Sequence, residues 1–584
     1  MTLNTALRRR VYSQLETGAT EADYLMIAGF LSDLCPDFML LKTSWGRLPL
    51  MKEAGQGNRS LEYEHLEMRE AWRQIEKYAM AMAKVQKQER EWLWQGVEYN
   101  GPYPLPIIGN LFDVPKSKPW IGFRDICMKY GDVIFLRTQS QSHLVLNSRA
   151  AISELLDKRT ANTSDRLVCP STRLVGGEWV LGVMSYGARW RSYRRAFWQH
   201  FRPGAIDRYR PVQLAAVRTF LGKLLHDPEN LKRHINFTVA TALLKITYGI
   251  EVEDEKSELL ERVDTALDGT AQIMVPGRFA VDYIPLLEHV PAWFPGAGYH
   301  DVFKQLRSKD MQFKELLLAS RSTVSPYGAQ YHAKPIVDIL LSKTSNGLVS
   351  YNELAQDVTA VALAAGADTS MATLQATFLA LSLYPEVQKK AQAELDAVVG
   401  PSRLPNFGDR DSLVYVNAIV KESFRWFTVT PLGISHCTVE DDEFRGYFIP
   451  AGTVLTANIW AVMHDPNTYE NPDEFYPERF IRNGKLDPNV VDPSAFVFGS
   501  GRRICPGRYF ADASLFLNVA SILHAFHISP PVDQAGQPIK VGVAMSDRFI
   551  SFPEDFRCSI EPRSASSAAL IEEELRLHST SAAT

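Results

Sequence analysis

Phe498-Gly499-Ser500-Gly501-Arg502-Arg503-Ile504-Cys505-Pro506-Gly507 sets one cysteine in a glycine-rich, arginine-bearing turn that runs straight into a helical stretch. A cysteine ligates a metal only as thiolate, so nearby cations, a helix N-terminus or the metal itself must lower its pKa. Arg502 and Arg503 supply the cations, and the following segment supplies the helix. Gly499 and Gly501 permit a tight bulged hairpin, and Gly507 removes a side chain where backbone could pass close to a bound group. Pro506 suits the first position of a helix carrying Arg508, Tyr509 and Phe510, whose free N–H groups would aim at the sulfur. Phe498, seven residues before the cysteine, is placed to shield it from water. The plain alternative is a buried structural cysteine in a glycine-rich loop.

This segment resembles the haem-binding signature of the cytochromes P450: Phe, two glycines flanking a variable residue, an Arg, then Cys-x-Gly. The resemblance implies a mainly α fold with a small β-rich region, a triangular prism of helices around a buried haem b. It makes Cys505 the axial iron ligand and puts Phe498, Gly499 and Gly507 in the cofactor loop.

Upstream, Ser350 and Glu353 form a capping-box pattern, and a helical pattern then runs until Pro385 stops it at about Tyr384. Midway lie Ala365-Gly366-Ala367-Asp368-Thr369-Ser370. Small residues let a helix approach a cofactor, while an acid and a hydroxyl inside a helix are unfavourable unless something uses them. By itself the pair also reads as a solvated patch. The resemblance gives Thr369 and Asp368 the family's proton delivery to bound dioxygen.

Glu422 and Arg425 share a helix face, a pattern that commonly marks a surface salt bridge. Arg479 follows in Pro477-Glu478-Arg479-Phe480, in an order similar to the family's buried Glu–Arg–Arg brace, which would make these three structural residues. Trp190 and Arg194, four apart, resemble the family's propionate-binding pair, and His436 and Arg503 occupy its other two donor positions. An isolated histidine such as His436 also reads as a satisfied core or surface residue.

The 584 residues suit one large enzyme domain with extensions, and 46% hydrophobic with 22% charged residues is a globular composition. A formal net charge of −4 gives no reason to expect nucleic acid. Six irregularly spaced cysteines without a Cys-x-x-Cys pair argue for a reduced environment and against zinc or iron–sulfur sites. Arg8, Arg9 and Arg10 precede an apolar run at residues 24–32, which Asp33, Pro36 and Asp37 end short of the roughly 20 residues of a membrane span. Residues 61–94 carry Met68, Trp72, Ile75, Ala79 and Met82 at helical spacing, either a helix packed on its neighbours or one lying in a membrane interface. The division expected is an atypical, partly helical extension at 1–99, a catalytic domain at 100–562, and a disordered tail at 563–584. Residues 100–110 resemble the family's proline-rich hinge behind a hydrophobic anchor, and the anchor itself is not legible here.

No flavin or dinucleotide fingerprint is evident, so electrons must come from a partner. Arg189, Arg191, Arg195, Arg502 and Arg503 read either as solvated arginines or as a positive patch for an acidic flavoprotein. Residues 281–296 form an apolar, proline-rich loop similar to the family's access lid and membrane contact. Segments 167–179, 363–369, 428–434 and 546–550 face substrate by analogy, and their few charges suit a neutral lipophilic molecule.

The chain resembles fungal secondary-metabolism members of the family. That implies a monooxygenase of terpenoid, polyketide or indole-derived compounds, on the cytosolic face of the endoplasmic reticulum membrane. Its electrons would come from NADPH through NADPH-cytochrome P450 reductase, with cytochrome b5 as a second donor and O2 as co-substrate. Two other readings are a haem-thiolate isomerase or dehydratase and a non-catalytic haem-binding protein. An intact Asp368–Thr369 pair counts against the former, and an apparent substrate lid against the latter.

Overall fold

The computed structural model describes residues 100–583 except 106–108, 139–140, 274–278, 284, 291–297, 322–333, 343–349, 534–536, 538, 540 and 555–556. The helix expected at 61–94 and the basic cluster Arg8–Arg10 lie outside the described residues, as do 284 and 291–296 of the expected lid.

Helices dominate: α1 (Ala188–Phe201), α2 (Arg210–His226), α3 (Leu231–Tyr248), α4 (Tyr299–Arg321), α5 (Tyr351–Leu383), α6 (Pro385–Val398), α7 (Val414–Trp426), α8 (Arg508–Ala525) and α9 (Ala565–Ala583). Of these α5 is the axle. Its 33 residues span about 50 Å at 1.5 Å per residue. Leu363, Ala372, Phe378, Leu379 and Ala380 along it are fully buried, as expected of a helix wrapped by others. Ser350 Oγ accepts the Asn352 N–H, but the capping box stays half made because Glu353 turns to Arg189, 2.8 Å away. Tyr384 ends α5, and Pro385 opens α6 at its first turn, where a missing N–H costs nothing. α3 packs along α5, and α2 packs on α3 and α8.

The main sheet is made of β1 (Val133–Thr138), β2 (Gln141–Leu146), β3 (His436–Cys437) and β4 (Val454–Ala457) in the order β1-β2-β4-β3, and the other strands among the described residues form two-stranded ribbons. β2 runs parallel to β4, and the other pairings are antiparallel. The stretch expected as a hinge is stitched to this sheet. Asn110 is fully buried, with its Nδ2 donating to Pro102 O at 2.7 Å and its Oδ1 accepting from Arg137 N at 2.9 Å. At Gly101 a Cβ would lie 2.4 Å from Phe135 O, so only glycine admits this approach.

Two expectations are overturned. The tail after Arg563 is ordered as α9, because Ile571 and Leu575, four apart, bury an apolar stripe on α2. A Cβ at Gly222 would meet Leu575 Cδ1 at 2.5 Å, and Glu574 stands 3.5 Å from buried Arg218. Serine and alanine content concealed that stripe. The described part of the expected lid is also not an exposed apolar loop. Short helical turns at Ala280–Tyr283 and Pro285–His289 put Val281, 1% exposed, into a small core with Val175 and Phe303.

Candidate active site at the cysteine loop

Residues 498–507 fold as a closed loop. The Cys505 N–H donates to Phe498 O at 2.7 Å across a 3₁₀ turn at Gly501–Arg503. Gly499 and Gly501 have φ of 75° and 57°, and a Cβ on Gly501 would sit 2.3 Å from Leu156 O. Both positions therefore require glycine. The expected hairpin is replaced by this turn, because the loop pairs with residues 157–160 instead: Gly501 N–H donates to Asp157 at 2.7 Å and Arg502 N–H to Thr160 Oγ1 at 3.1 Å. Pro506 lies before the helix, and α8 begins at Arg508 with Gly507 (φ −88°) as its cap. Phe498 stacks edge-on against Phe424 at 5.2 Å.

The cysteine faces a cavity of about 370 Å³ shared with α5, residues 428–434 and residues 549–550. Burial raises the Cys505 thiol pKa, partly offset by the Gly507 N–H, Arg194, Arg508 and the Arg508 N–H. Desolvation therefore outweighs the expected lowering by cations and helix terminus in the protein alone.

Opposite, Asp368 and Thr369 line the same cavity midway along α5. Thr369 Oγ1 donates to Ala365 O at 2.7 Å, and Thr373 and Thr377 repeat this bond at four-residue steps. With its proton used within the helix, the Thr369 hydroxyl keeps lone pairs for a donor in the cavity.

Arg166, Arg194, Arg503, Trp190 and His436 also line the cavity. Arg503 donates to Ser164 O at 2.7 Å and Met184 O at 2.8 Å, and its guanidinium lies 4.5 Å over the Trp190 ring. His436 is held through Nδ1 by Thr163 O at 2.7 Å, and burial pushes its pKa far below 6.5, so the ring is neutral. Burial brings Arg194 and Arg503 down to about 10. Arg194 has no hydrogen bond or ion pair among the described residues. Three guanidiniums thus face the cavity with one lining carboxylate, Asp368, and Asp165 lies close enough to Arg166 and Arg503 to offset part of their charge, leaving an excess that favours an anionic occupant.

Sequence reasoning missed Arg166. It donates to Gly182 O at 2.9 Å, Ile434 O at 2.6 Å and Ser435 O at 2.7 Å. No periodicity or motif marks it; these long-range carbonyls place it. Of the expected substrate segment 167–179 only Trp179 reaches the cavity.

Glu422 and Arg425 are both fully buried, paired at 2.7 and 2.8 Å, and Arg479 reaches Glu422 at 3.2 Å. Arg425 also donates to the carbonyls of Met463, Pro472 and Glu474, so the pair has no idle donor facing apolar core. Of the arginines expected on the electron-entry face, Arg191 and Arg502 flank Tyr186 at 5.7 and 5.4 Å, whereas Arg189 is drawn away to Glu353 and α5.

Residues 100–549 match the family described as Cytochrome P450. The chain is 39% identical over 483 residues to cytochrome P450 monooxygenase COX1 of Coprinopsis cinerea, covering 81% of this chain and 92% of that protein. It is 40% identical to COX2 of the same fungus, over 81% of this chain and 90% of that protein. Tryptamine 4-monooxygenase of Psilocybe cyanescens is 35% identical, over 79% of this chain and 91% of that protein.

Proposed function

The chain belongs to the cytochrome P450 family of monooxygenases, and we propose that it hydroxylates or epoxidises a lipophilic small molecule of fungal secondary metabolism. Terpenoid, polyketide and indole-derived compounds are the classes proposed. The observation that carries the reading is one cavity with the half-buried Cys505 on one wall, Asp368 and Thr369 on the other, and otherwise largely apolar lining. Relatives named as cytochrome P450 monooxygenases support the reaction type, and the one named for tryptamine supports the indole-derived class.

The residues fit haem b. Cys505 would hold the iron, and Trp190, Arg194, His436, Arg503 and Arg166 would receive its propionates, relieving the excess of guanidinium charge. Bound haem supplies the activation of dioxygen. Thr369 would accept a hydrogen bond from a donor in the cavity, and Asp368 would pass protons into it. Glu422, Arg425 and Arg479 act as a structural brace. The apolar walls orient substrate and exclude water, which favours transfer of oxygen over its loss as peroxide.

Electrons would arrive from NADPH through a reductase, or from cytochrome b5, at the face bearing Arg191, Arg195 and Arg502. The proposed location is the cytosolic face of the endoplasmic reticulum membrane. Among the described residues no helix is long and apolar enough to cross a membrane.

Turnover with reductase, NADPH and ¹⁸O₂ across the three substrate classes tests the reading. One ¹⁸O atom per product molecule is expected. Products formed without oxygen from O₂, or without any need for NADPH, would replace it with the isomerase reading.

A further inference from the structure

Lys314 on α4 stands where three helices and the cavity wall meet. Its ammonium lies 3.0 Å from Asp357 Oδ1 on α5 and 3.3 Å from the centre of the Trp179 ring. Asp357 also accepts the Tyr193 hydroxyl of α1 at 2.8 Å and lies 3.8 Å from Arg189. The Lys314 and Asp357 side chains are only 15% and 5% exposed. Trp179 closes the 3₁₀ turn Gly177–Trp179, is 8% exposed and lines the cavity.

The same face of α4 grips this turn at further points. Phe303 packs with Val175, and Gly176, with φ of 78°, would place a Cβ 3.4 Å from Arg307 Nε. Residues 303, 307 and 314 recur at helical spacing, so one stripe of α4 runs along the segment that ends in Trp179. A desolvated cation over an indole face is a strong, directional contact. A buried carboxylate in turn holds that cation in place.

We propose that Lys314 is a positioning residue: bridging Asp357 and Trp179, it ties α4 to the axle helix and fixes the Trp179 ring as the surface against which bulky cavity ligands pack, a contact that small ligands do not reach. This rests on the haem reading above only in that its ligands are read through haem. Lys314 acts through Trp179 and takes no part in proton delivery.

The test compares Lys314→Met, Lys314→Arg, Trp179→Leu and the Lys314→Met/Trp179→Leu double variant of the holoprotein, using imidazole and the bulky azole clotrimazole in Soret titrations. For Lys314→Met the clotrimazole Kd should rise about tenfold, with imidazole held within about twofold. Lys314→Arg should restore most of the difference. Trp179→Leu should match Lys314→Met, and the double variant should add nothing, since the two side chains act as one unit. Equal effects on both azoles, or additive effects in the double variant, would overturn the proposal.

Amide hydrogen exchange gives a readout without haem. Exchange across residues 170–182 should quicken about tenfold or more in Lys314→Met while residues 501–507 stay protected; unchanged exchange at 170–182 overturns the proposal. Trp179→Leu leaves the Lys314–Asp357 pair intact and carries the titrations should Lys314→Met fail to fold. A wild-type protein lacking a thiolate-type Soret band would strike the haem reading alone, since the exchange comparison would still judge the contact.

Discussion

The two walls of the cavity are built on different terms. On the cysteine side a ten-residue loop is tied through its backbone: Gly501 lies against Leu156 O, Cys505 N–H bonds Phe498 O, and Arg503 is anchored on carbonyls. On the α5 side a helix offers two polar side chains, and the surrounding wall is assembled from residues 179–182, 428–434 and 549–550. A wall that must present one atom in one place is encoded contiguously and by backbone geometry. A wall that must only fit a molecule is encoded by scattered side chains and shape.

The frame behind the cysteine side is the harshest place to break this contrast. Glu422→Ala strands Arg425 and Arg479 in the core and should cost about 3–5 kcal/mol in denaturant unfolding. A loss below about 1 kcal/mol would mean that the brace is dispensable. Within the loop, Gly501→Ala must adopt φ near 57° and displace Leu156 O, so a loss of about 2 kcal/mol or more is expected. Gly507→Ala, whose Cβ would meet nothing nearer than Cys505 Sγ at 3.9 Å, should change apoprotein stability by less than about 1 kcal/mol. Equal losses for the two glycines would remove the backbone argument.

On the other wall Thr369→Ala should leave stability nearly unchanged and act on chemistry. The ratio of product to NADPH consumed should fall about tenfold or more, with the balance as peroxide. Unchanged coupling would transfer the proton route to other residues.

A smaller effect comes from pH. His464, stacked on Trp460 at 4.3 Å, has its pKa pushed from 6.5 down to about 3 by burial. Between those values the unfolded chain binds a proton that the folded chain refuses, so stability falls as pH drops below about 6.5. His464→Phe should flatten that slope by on the order of 1–2 kcal/mol between pH 6.5 and 4, read from unfolding midpoints. A slope identical to wild type would show that this ring is solvated in the folded protein.

The same contrast decides what was legible in the sequence. The cysteine loop and the ends of α5 were readable because Gly499, Gly501, Ser350 and Pro385 act on their own backbone neighbourhood. Their finer geometry was not: Pro506 falls outside α8, and Glu353 leaves its cap for Arg189. Arg166 stayed hidden because carbonyls far along the chain set its position. The helix α9 stayed hidden because its few apolar anchors are diluted by serine and alanine, and the burial of Val281 because its partners lie on α4 and near residue 175.

The most direct test is the carbon-monoxide difference spectrum of the reduced protein, recorded beside Cys505→Ala. A strongly red-shifted Soret band in the wild type that vanishes in the variant is the predicted result. A band at the neutral-ligand position in the wild type, or the same red-shifted band surviving in Cys505→Ala, would contradict a thiolate presented by this loop.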